Sequence, residues 1–377
     1  MRLIRIALAL VVGSVFLSLR AGAEERWSVE KANEWYGRMP WLVGCNFSPS
    51  TAINQLEMWQ ADTFDLPTID RELGWAEGLG FTSVRVFLHH LPFEKDREGF
   101  FSRMDQFLAT AERHHIGVMF VLFDSCWDPF PKSGKQREPQ AGLHNSGWVQ
   151  CPGKEDLAKP QRRGVLEAYV KGVVGRFGQD RRVVVWDVFN EPDNTNDNSY
   201  GPENKKQELP DKVKLSTELL RQAFGWARTV EHVQPLTSGP WKGQRATKAK
   251  LSETEKVQLG ESDVISFHTY NPLDEVKDWV KNLREYGRPL ICTEYMARPQ
   301  GSTFDPVLGY FKEQKIGAYN WGFVAGKTNT IYPWDSWQKK YAGEPPVWFH
   351  DIFRADGSAY RPAEVQYIRR VSGKTGG

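Results

Sequence analysis

The sequence contains eight short apolar runs, and most of them are followed by an amphipathic segment with apolar residues at helical spacing. The apolar runs are rich in β-branched residues and lack polar alternation, which is typical of parallel strands covered on both faces. The predicted strands are Trp41–Phe47, Val84–Leu88, Gly117–Phe123, Val183–Phe189, a short strand near Leu236, Val264–Phe267, Leu290–Thr293 and Gly317–Trp321. Eight such units favour a closed α/β barrel over an open doubly wound sheet, and no GxGxxG sequence follows the first strand.

The composition and the lack of a linker indicate a single domain. Of the 377 residues, 40% are hydrophobic and 25% charged, which excludes a disordered or collagen-like protein. Two segments show neither a strand nor a helix period. They are residues 124–160, rich in Pro, Gly and Lys, and residues 193–212, rich in Asn, Asp and Lys. Both follow predicted strands, so in a barrel they lie on the carboxyl-terminal face, where active sites are built. We therefore predict one (β/α)8 TIM-barrel domain over residues 24–377, with long loops after its strands.

Residues 1–23 have the features of a secretory signal peptide. Arg2 and Arg5 precede an apolar run, Ile6–Leu19, that is too short to span a bilayer, and small residues follow at 21–23. An uncleaved membrane anchor is the alternative, but we expect cleavage and a secreted or periplasmic protein. Removing this segment, with its three arginines and no acid, changes the formal charge from +2 to −1. A nearly neutral chain has no bulk electrostatic reason to bind nucleic acid or an anionic membrane, so we expect neither partner.

The chain has four cysteines, and none of them forms a CxxC pair, so a structural zinc site is not expected. Cys126 and Cys151 bracket one loop. They either form a disulfide, which export permits, or remain free buried thiols. We expect no cofactor and no bound metal, and we expect the mature chain to act as a monomer.

Two glutamates stand where apolar strands end. Glu191 follows the fourth predicted strand, and Glu294 follows the seventh. These strands lie on opposite sides of an eight-stranded barrel, so the two carboxylates face each other across its mouth. Two facing carboxylates are what glycosidic hydrolysis needs, because one protonates the leaving oxygen while the other attacks the anomeric carbon or activates water. A single glutamate would be interpreted as a solvated loop acid, but the pair favours catalysis.

The sequence Asn190-Glu191-Pro192 after strand four, combined with Glu294 after strand seven, resembles the clan A glycoside hydrolases. The resemblance is greatest to family 5, the cellulase and mannanase type of barrel, and it covers nearly the whole mature chain in architecture. A divergent subfamily or a sister family of the clan fits the same residues. The resemblance implies that Glu191 is the acid/base and Glu294 the nucleophile of a retaining mechanism. It also implies that Asn190 binds the sugar 2-hydroxyl.

Further strand-end residues match the same family. Arg85 lies inside an apolar strand, and the family pairs such an arginine with the nucleophile; a surface arginine is the alternative. His268 and Tyr270 resemble the family's histidine and tyrosine near the nucleophile, with Tyr270 as the expected donor to Glu294. Otherwise they are a core histidine and a rim tyrosine. Trp321 matches the tryptophan that forms the floor of the sugar site, with core packing as its alternative.

Aromatic and polar residues on the predicted loops suggest further sugar contacts. The chain has 15 tryptophans, and several of them fall on or after strand ends, which assigns much of this excess to the cleft. These are Trp127, Trp148, Trp241, Trp321, Trp334 and Trp337. One or both of His89 and Asp124 are expected to contact sugar hydroxyls. With His90 they could instead suggest a metal hydrolase, but adjacent residues of a strand point to opposite faces and cannot easily share a metal.

Together these features predict a secreted retaining β-glycoside hydrolase that cleaves a β-linked glycan, with an oligo- or polysaccharide as its partner. The alternative from another functional class is a non-catalytic carbohydrate-binding barrel. Binding alone needs aromatic side chains but no acid/base pair, so the two glutamates favour the hydrolase.

Overall fold

The computed structural model describes residues 25–196, 207–242 and 250–374. Within these ranges the eight strands are β1 (Val43–Asn46), β2 (Ser83–Phe87), β3 (Gly117–Asp124), β4 (Val183–Asn190), β5 (Leu236–Thr237), β6 (Ile265–His268), β7 (Leu290–Tyr295) and β8 (Gly317–Asn320). The predicted signal peptide lies outside the described residues.

Twelve α-helices are described around and between the strands. They are α1 (Val29–Arg38), α2 (Gln55–Trp59), α3 (Leu66–Gly78), α4 (His90–Lys95), α5 (Arg97–Arg113), α6 (Lys154–Ala158), α7 (Arg163–Phe177), α8 (Lys212–Arg228), α9 (Glu253–Glu261), α10 (Leu273–Leu283), α11 (Phe304–Glu313) and α12 (Pro362–Ser372). None of the helices that the structure describes is long and apolar enough to cross a membrane.

All neighbouring strands pair in parallel, in the order β5-β4-β3-β2-β1-β8-β7-β6. The seam between β5 and β6 is bridged by a backbone bond from Asp263 to Leu236 (2.8 Å) and by the Thr237 hydroxyl, which donates to the Val264 carbonyl (2.8 Å). Ser266 lies at the same seam, with its hydroxyl 2.8 Å from that of Thr237. The predicted (β/α)8 TIM barrel is confirmed.

Helix α1 covers the end of the barrel at which the strands begin. Ala32 of this helix and Trp27 before it are buried in one cluster with Met119, Val185 and Ile291 of β3, β4 and β7. The opposite end, where the strands finish, carries the long loops. Because α1 closes the end at which the strands begin, the open cleft lies at the loop-bearing end.

All four cysteines are free thiols. Cys126 lies beside Glu191, with its Sγ 3.3 Å from Oε2, whereas Cys151 lies against His90, with 3.4 Å between Sγ and Nδ1. Cys126 and Cys151 therefore do not form a disulfide with each other.

Candidate active site

The two predicted carboxylates lie together at the mouth of the barrel. Glu191 directly follows β4 with φ 45°, a left-handed conformation that is unusual for a residue with a side chain. Glu294 is the penultimate residue of β7. One carboxylate oxygen of each and a ring nitrogen of His268 all lie within 4.8 Å of one another. Both glutamates are buried, at 7% and 5% exposure, so their charges are sensitive to every neighbour.

Arg85 of β2 is fully buried beneath this pair and is not a surface residue. Its Nη1 donates to Glu294 Oε1 (3.0 Å) and to Asn46 Oδ1 (2.7 Å). Its Nε and Nη2 both donate to Asp187 Oδ2, at 3.0 and 2.7 Å. Nη2 also donates to Asn190 Oδ1 (2.7 Å). The guanidinium thus holds two carboxylates and two amides in fixed positions, as its planar set of donors allows.

Glu294 receives a second hydrogen bond from Tyr270, whose hydroxyl donates to Oε2 at 2.7 Å. Burial raises the pKa of Glu294, as does the negative charge of Glu191, while the charge of Arg85 and the Tyr270 hydrogen bond act in the opposite direction. These contacts stabilise the ionised carboxylate against its desolvation.

Glu191 has a different environment, in which none of the described residues places a cation in contact with its carboxylate. Its Oε1 lies 2.8 Å from His268 Nδ1, and its Oε2 accepts from Asn194 Nδ2 (2.6 Å) and from the Cys126 thiol. Burial raises the pKa of Glu191 to about 7. Burial also lowers the pKa of His268 to about 4, so this imidazole is neutral near pH 7. His268 lies closer to Glu191 than to Glu294, from which Nδ1 is 3.6 Å away.

Asn190 and Asp124 form a support behind the carboxylates. Asn190 lines the cleft, and its Nδ2 donates to Asp124 Oδ1 at 2.9 Å. Asp124 Oδ2 accepts from Trp148 Nε1 (2.7 Å), and burial raises the pKa of Asp124 to about 6. Asp124 is 1% exposed. The expectation that it contacts sugar hydroxyls is therefore wrong: it orients Asn190 instead.

His89 is also absent from the cleft. The residue is fully buried; its Nδ1 accepts the backbone N–H of Leu91 at the start of α4, and its Nε2 lies 3.1 Å from the Gln150 carbonyl oxygen. Both ring nitrogens are thus engaged within the protein, and the expected contact with sugar hydroxyls is wrong. A histidine after a strand resembles a binding residue in sequence, but here it begins a helix.

Four tryptophans line the cleft, which has a volume of about 290 Å³: Trp127, Trp241, Trp321 and Trp334. All four belong to the tryptophans assigned to the cleft from the sequence, and Trp334 lies on the loop after β8. The Trp241 indole N–H donates to Asp193 Oδ1 (2.7 Å). The Trp321 ring packs edge-to-face against Phe87, with ring centres 5.7 Å apart. The cleft is therefore bounded by flat apolar faces around two carboxylates, a surface suited to sugar rings.

Three contacts of the site were not anticipated from the sequence. Asp187 shares Arg85 with Glu294, and Cys126 and Asn194 bond Glu191. The sequence could have indicated the role of Asp187, because an acid inside an apolar strand needs a buried cation as its partner and Arg85 is such a cation. Cys126 and Asn194 lie on irregular loops, where no sequence period indicates direction.

Comparisons with known proteins agree with this geometry. A family model described as glycosyl hydrolase family 10 matches residues 142–254, a range that includes β4 and Glu191. No curated protein matches the chain in sequence. Among solved structures, a GH5_18 protein from Streptomyces cattleya in complex with Manβ1-4GlcNAc has a TM-score of 0.56 at 12% identity, covering 88% of this chain and 80% of that one.

Two mannanases have similar structures. The endo-β-1,4-mannanase of Thermotoga petrophila has a TM-score of 0.55 at 14% identity, covering 90% of this chain and 77% of that one. The endo-1,4-β-mannanase of Rhizomucor miehei has a TM-score of 0.55 at 13% identity, covering 89% and 95%. At these identities the structural likeness shows the fold alone. The sequence match over residues 142–254 makes that part of the chain similar to glycosyl hydrolase family 10, and the structural neighbours share its barrel fold, which is like that of family 5.

Proposed function

We propose that the chain is a secreted retaining β-glycoside hydrolase that cleaves a β-linked glycan by double displacement. The observation that carries this proposal is the proximity of the two carboxylates, whose nearest oxygens lie within 4.8 Å. Retaining glycosidases hold these groups about 5–5.5 Å apart, whereas inverting enzymes need about 6.5–9.5 Å to admit a water molecule.

In the first step Glu294 attacks the anomeric carbon, and Glu191 protonates the leaving glycosidic oxygen. The Arg85 and Tyr270 contacts favour the ionised Glu294 that this attack requires. Glu191, with a pKa of about 7, keeps a proton on a large fraction of molecules at neutral pH. The step forms a glycosyl ester on Glu294 and releases the leaving group with the proton from Glu191.

In the second step Glu191, now ionised, removes a proton from water, and the resulting attack on the anomeric carbon releases Glu294. Loss of the Glu294 charge in the ester removes a like-charge repulsion, so the pKa of Glu191 falls when it must act as a base. The neutral His268, 2.8 Å from Glu191, orients that carboxyl group without adding a charge.

The substrate class follows from the cleft. Aromatic faces and a nearly neutral chain suit an uncharged sugar polymer, and mannanases share the fold. We propose β-1,4-linked mannose oligosaccharides as the first substrates to test. Export, proposed from residues 1–23, predicts that the protein recovered from the periplasm or medium begins near Glu24.

A 2-fluoro-glycoside that traps the covalent intermediate tests the mechanism. Mass spectrometry of the labelled protein should place the sugar on Glu294, and NMR should show a β-configured first product. The Glu294→Ala variant should lose turnover of an aryl β-glycoside. Glu253→Gln, a matched control at a surface glutamate whose side chain is 75% exposed, should leave turnover unchanged. Labelling at another residue or an α-configured first product would refute the mechanism, and sugar binding without turnover would favour the non-catalytic barrel.

A further inference from the structure

Three loops join at one side of the barrel mouth. They are residues 47–54 after β1, residues 125–150 after β3 and residues 321–350 after β8, and we call them the loop wall. Asn54 Nδ2 donates to the Gly147 carbonyl (2.8 Å), and the Lys327 amide donates to the Ser50 carbonyl (2.9 Å). The backbone amide of Asn145 donates to the Thr328 carbonyl (2.9 Å). Each loop is therefore bonded to at least one of the others.

Aromatic packing reinforces the bond between the β3 and β8 loops. Trp127 and Trp337 stack with ring centres 5.4 Å apart, and the Trp337 indole donates to the His144 carbonyl (2.9 Å). The His144 amide donates to the Ser336 hydroxyl (3.0 Å), and its Nδ1 lies 2.8 Å from the Tyr332 carbonyl oxygen. Ring stacking and hydrogen bonds, from both side-chain and backbone groups, thus hold the β3 and β8 loops together.

The loop wall has a defined place relative to the carboxylates. In the barrel, β2 and β1 lie between β3 and β8. The loops after β3 and β8 bond each other, so together they cover the ends of β2 and β1. Glu191, on β4, protonates the oxygen of the leaving group, so the leaving group lies on its side of the mouth. The attacked sugar, placed on Trp321 after β8, extends away from Glu191 and toward the loop wall. The wall therefore stands where the next sugar on the non-reducing side would have to lie.

The open space behind Trp321 is small. The described residues there leave only about 30 Å³ for the centres of water-sized molecules, lined by Phe87, Trp148 and Thr330 among others. One ordered water needs about 10–15 Å³ of such space, so a sugar ring does not fit behind Trp321. On the β6 side of the mouth, Trp334 packs edge-to-face on Tyr270 with ring centres 5.0 Å apart. The cleft itself, at about 290 Å³, is at the lower limit of pockets that enclose a drug-sized ligand, about 300–1,000 Å³.

We propose that the loop wall makes this enzyme exo-acting: it accepts the non-reducing end of a β-linked chain and releases one sugar residue in each catalytic cycle. The proposal rests on the hydrolase function and on the assignment of Glu191 as the acid. Hydrolysis consumes one water for each bond, leaving a free sugar and a chain shortened by one residue.

The first experiment measures where an oligosaccharide is cut. A panel of 4-nitrophenyl β-glycosides of mannose, glucose, xylose and galactose identifies the accepted sugar. The corresponding β-1,4 hexamer, labelled with 2-aminobenzamide at its reducing end, is then sampled early in the reaction. The labelled pentamer and the free sugar should be the only first products, and a hexamer methylated at its non-reducing terminal 4-hydroxyl should resist cleavage. Labelled dimers or trimers among the first products, or cleavage of polysaccharide without turnover of any aryl glycoside, would overturn the proposal. In either case labelling of Glu294 would leave the hydrolase function standing, whereas inactivity on every substrate without labelling would refute that function.

The second experiment opens the wall. Trp337→Ala removes a ring that stacks on Trp127 of the cleft. The ratio of internal to terminal cleavage, which should lie at the detection limit in the wild type, should rise to about tenfold that limit, a change typical of altering one part of an apolar pocket. Ser336→Ala, which removes only the acceptor of the His144 amide, should raise the ratio less. Trp35→Ala, at the far end of the barrel where Trp35 packs on Trp27, is the matched control and should leave the ratio unchanged. Thermal unfolding verifies that each variant folds, and an unchanged ratio in both folded wall variants would overturn the role of the wall.

Discussion

Tyr270→Phe tests how the protein keeps Glu294 ionised. The variant removes a single hydrogen bond, 2.7 Å from the Tyr270 hydroxyl to Glu294 Oε2, and retains the ring that packs on Trp334. A hydrogen bond to a charged group contributes about 1.5–3 kcal/mol, and about 1.4 kcal/mol corresponds to a factor of ten in rate. The bond favours the ionised carboxylate, so its loss raises the pKa of Glu294.

The sign of the expected effect follows directly. Attack on the anomeric carbon requires ionised Glu294, so a higher pKa removes the active form on the acidic side of the profile. We expect kcat/KM of an aryl β-glycoside to fall by about 10–100-fold at low pH, with the acidic limb displaced to higher pH and a smaller loss near neutrality. Burial of Glu294 keeps this effect from being screened by solvent.

The assay is kcat/KM measured from about pH 4 to about pH 9 for the wild type and the variant. Tyr341→Phe is the matched control, because its hydroxyl also bonds a carboxylate, that of Asp335 at 2.9 Å, but on the protein surface. The control should reproduce the wild-type profile. An acidic limb that does not move in Tyr270→Phe would show that this bond does not govern the ionisation of Glu294.

Three other substitutions test the buried charges. Glu191→Gln should raise the free energy of unfolding by about 3 kcal/mol above neutral pH, measured by thermal unfolding, and change it little near pH 4. The pKa of Glu191 is raised to about 7 in the folded protein, so above that pH the folded protein must ionise a buried acid that the unfolded chain ionises freely. Cys126→Ala removes a hydrogen bond that lowers the pKa of Glu191, so the alkaline limb of kcat/KM should move to higher pH; no movement would deny the thiol that role. Arg85→Met leaves Asp187 and Glu294 without their cation and should cost about 3–5 kcal/mol in urea unfolding, and wild-type stability would contradict the pairing.

The strands and the two carboxylates were predictable for the same physical reason. A parallel strand covered by helices is apolar on both faces, so it appears as a continuous run, and even the two-residue strand at Leu236–Thr237 left a signal. A polar residue at the end of such a run, as with Glu191 and Glu294, lies at the barrel mouth because of the architecture alone. Helix α1 was not predicted, because its sequence is mostly polar and Ala32 is its one fully buried residue.

The loops were beyond prediction because their partners are distant in sequence. The bond between the amide of Asn145 and the carbonyl of Thr328 joins residues that no local period relates. His89 was misplaced for a related reason: whether a histidine after a strand faces the cleft or begins a helix depends on the turn that follows. The free Cys126 is a third case, since sequence spacing cannot show whether its thiol faces Cys151 or Glu191.

The different roles of the two carboxyl groups depend on how one buried cation is shared. Arg85 bonds both Glu294 and Asp187, while the described residues in contact with Glu191 are neutral. The negative charge of Asp187 opposes ionisation of Glu294, so Asp187→Asn should lower the pKa of Glu294 and extend activity to lower pH. This is opposite in sign to Tyr270→Phe, although both substitutions remove one polar group near the same carboxylate. If both acidic limbs moved in the same direction, general disruption of the site would explain them better than electrostatics.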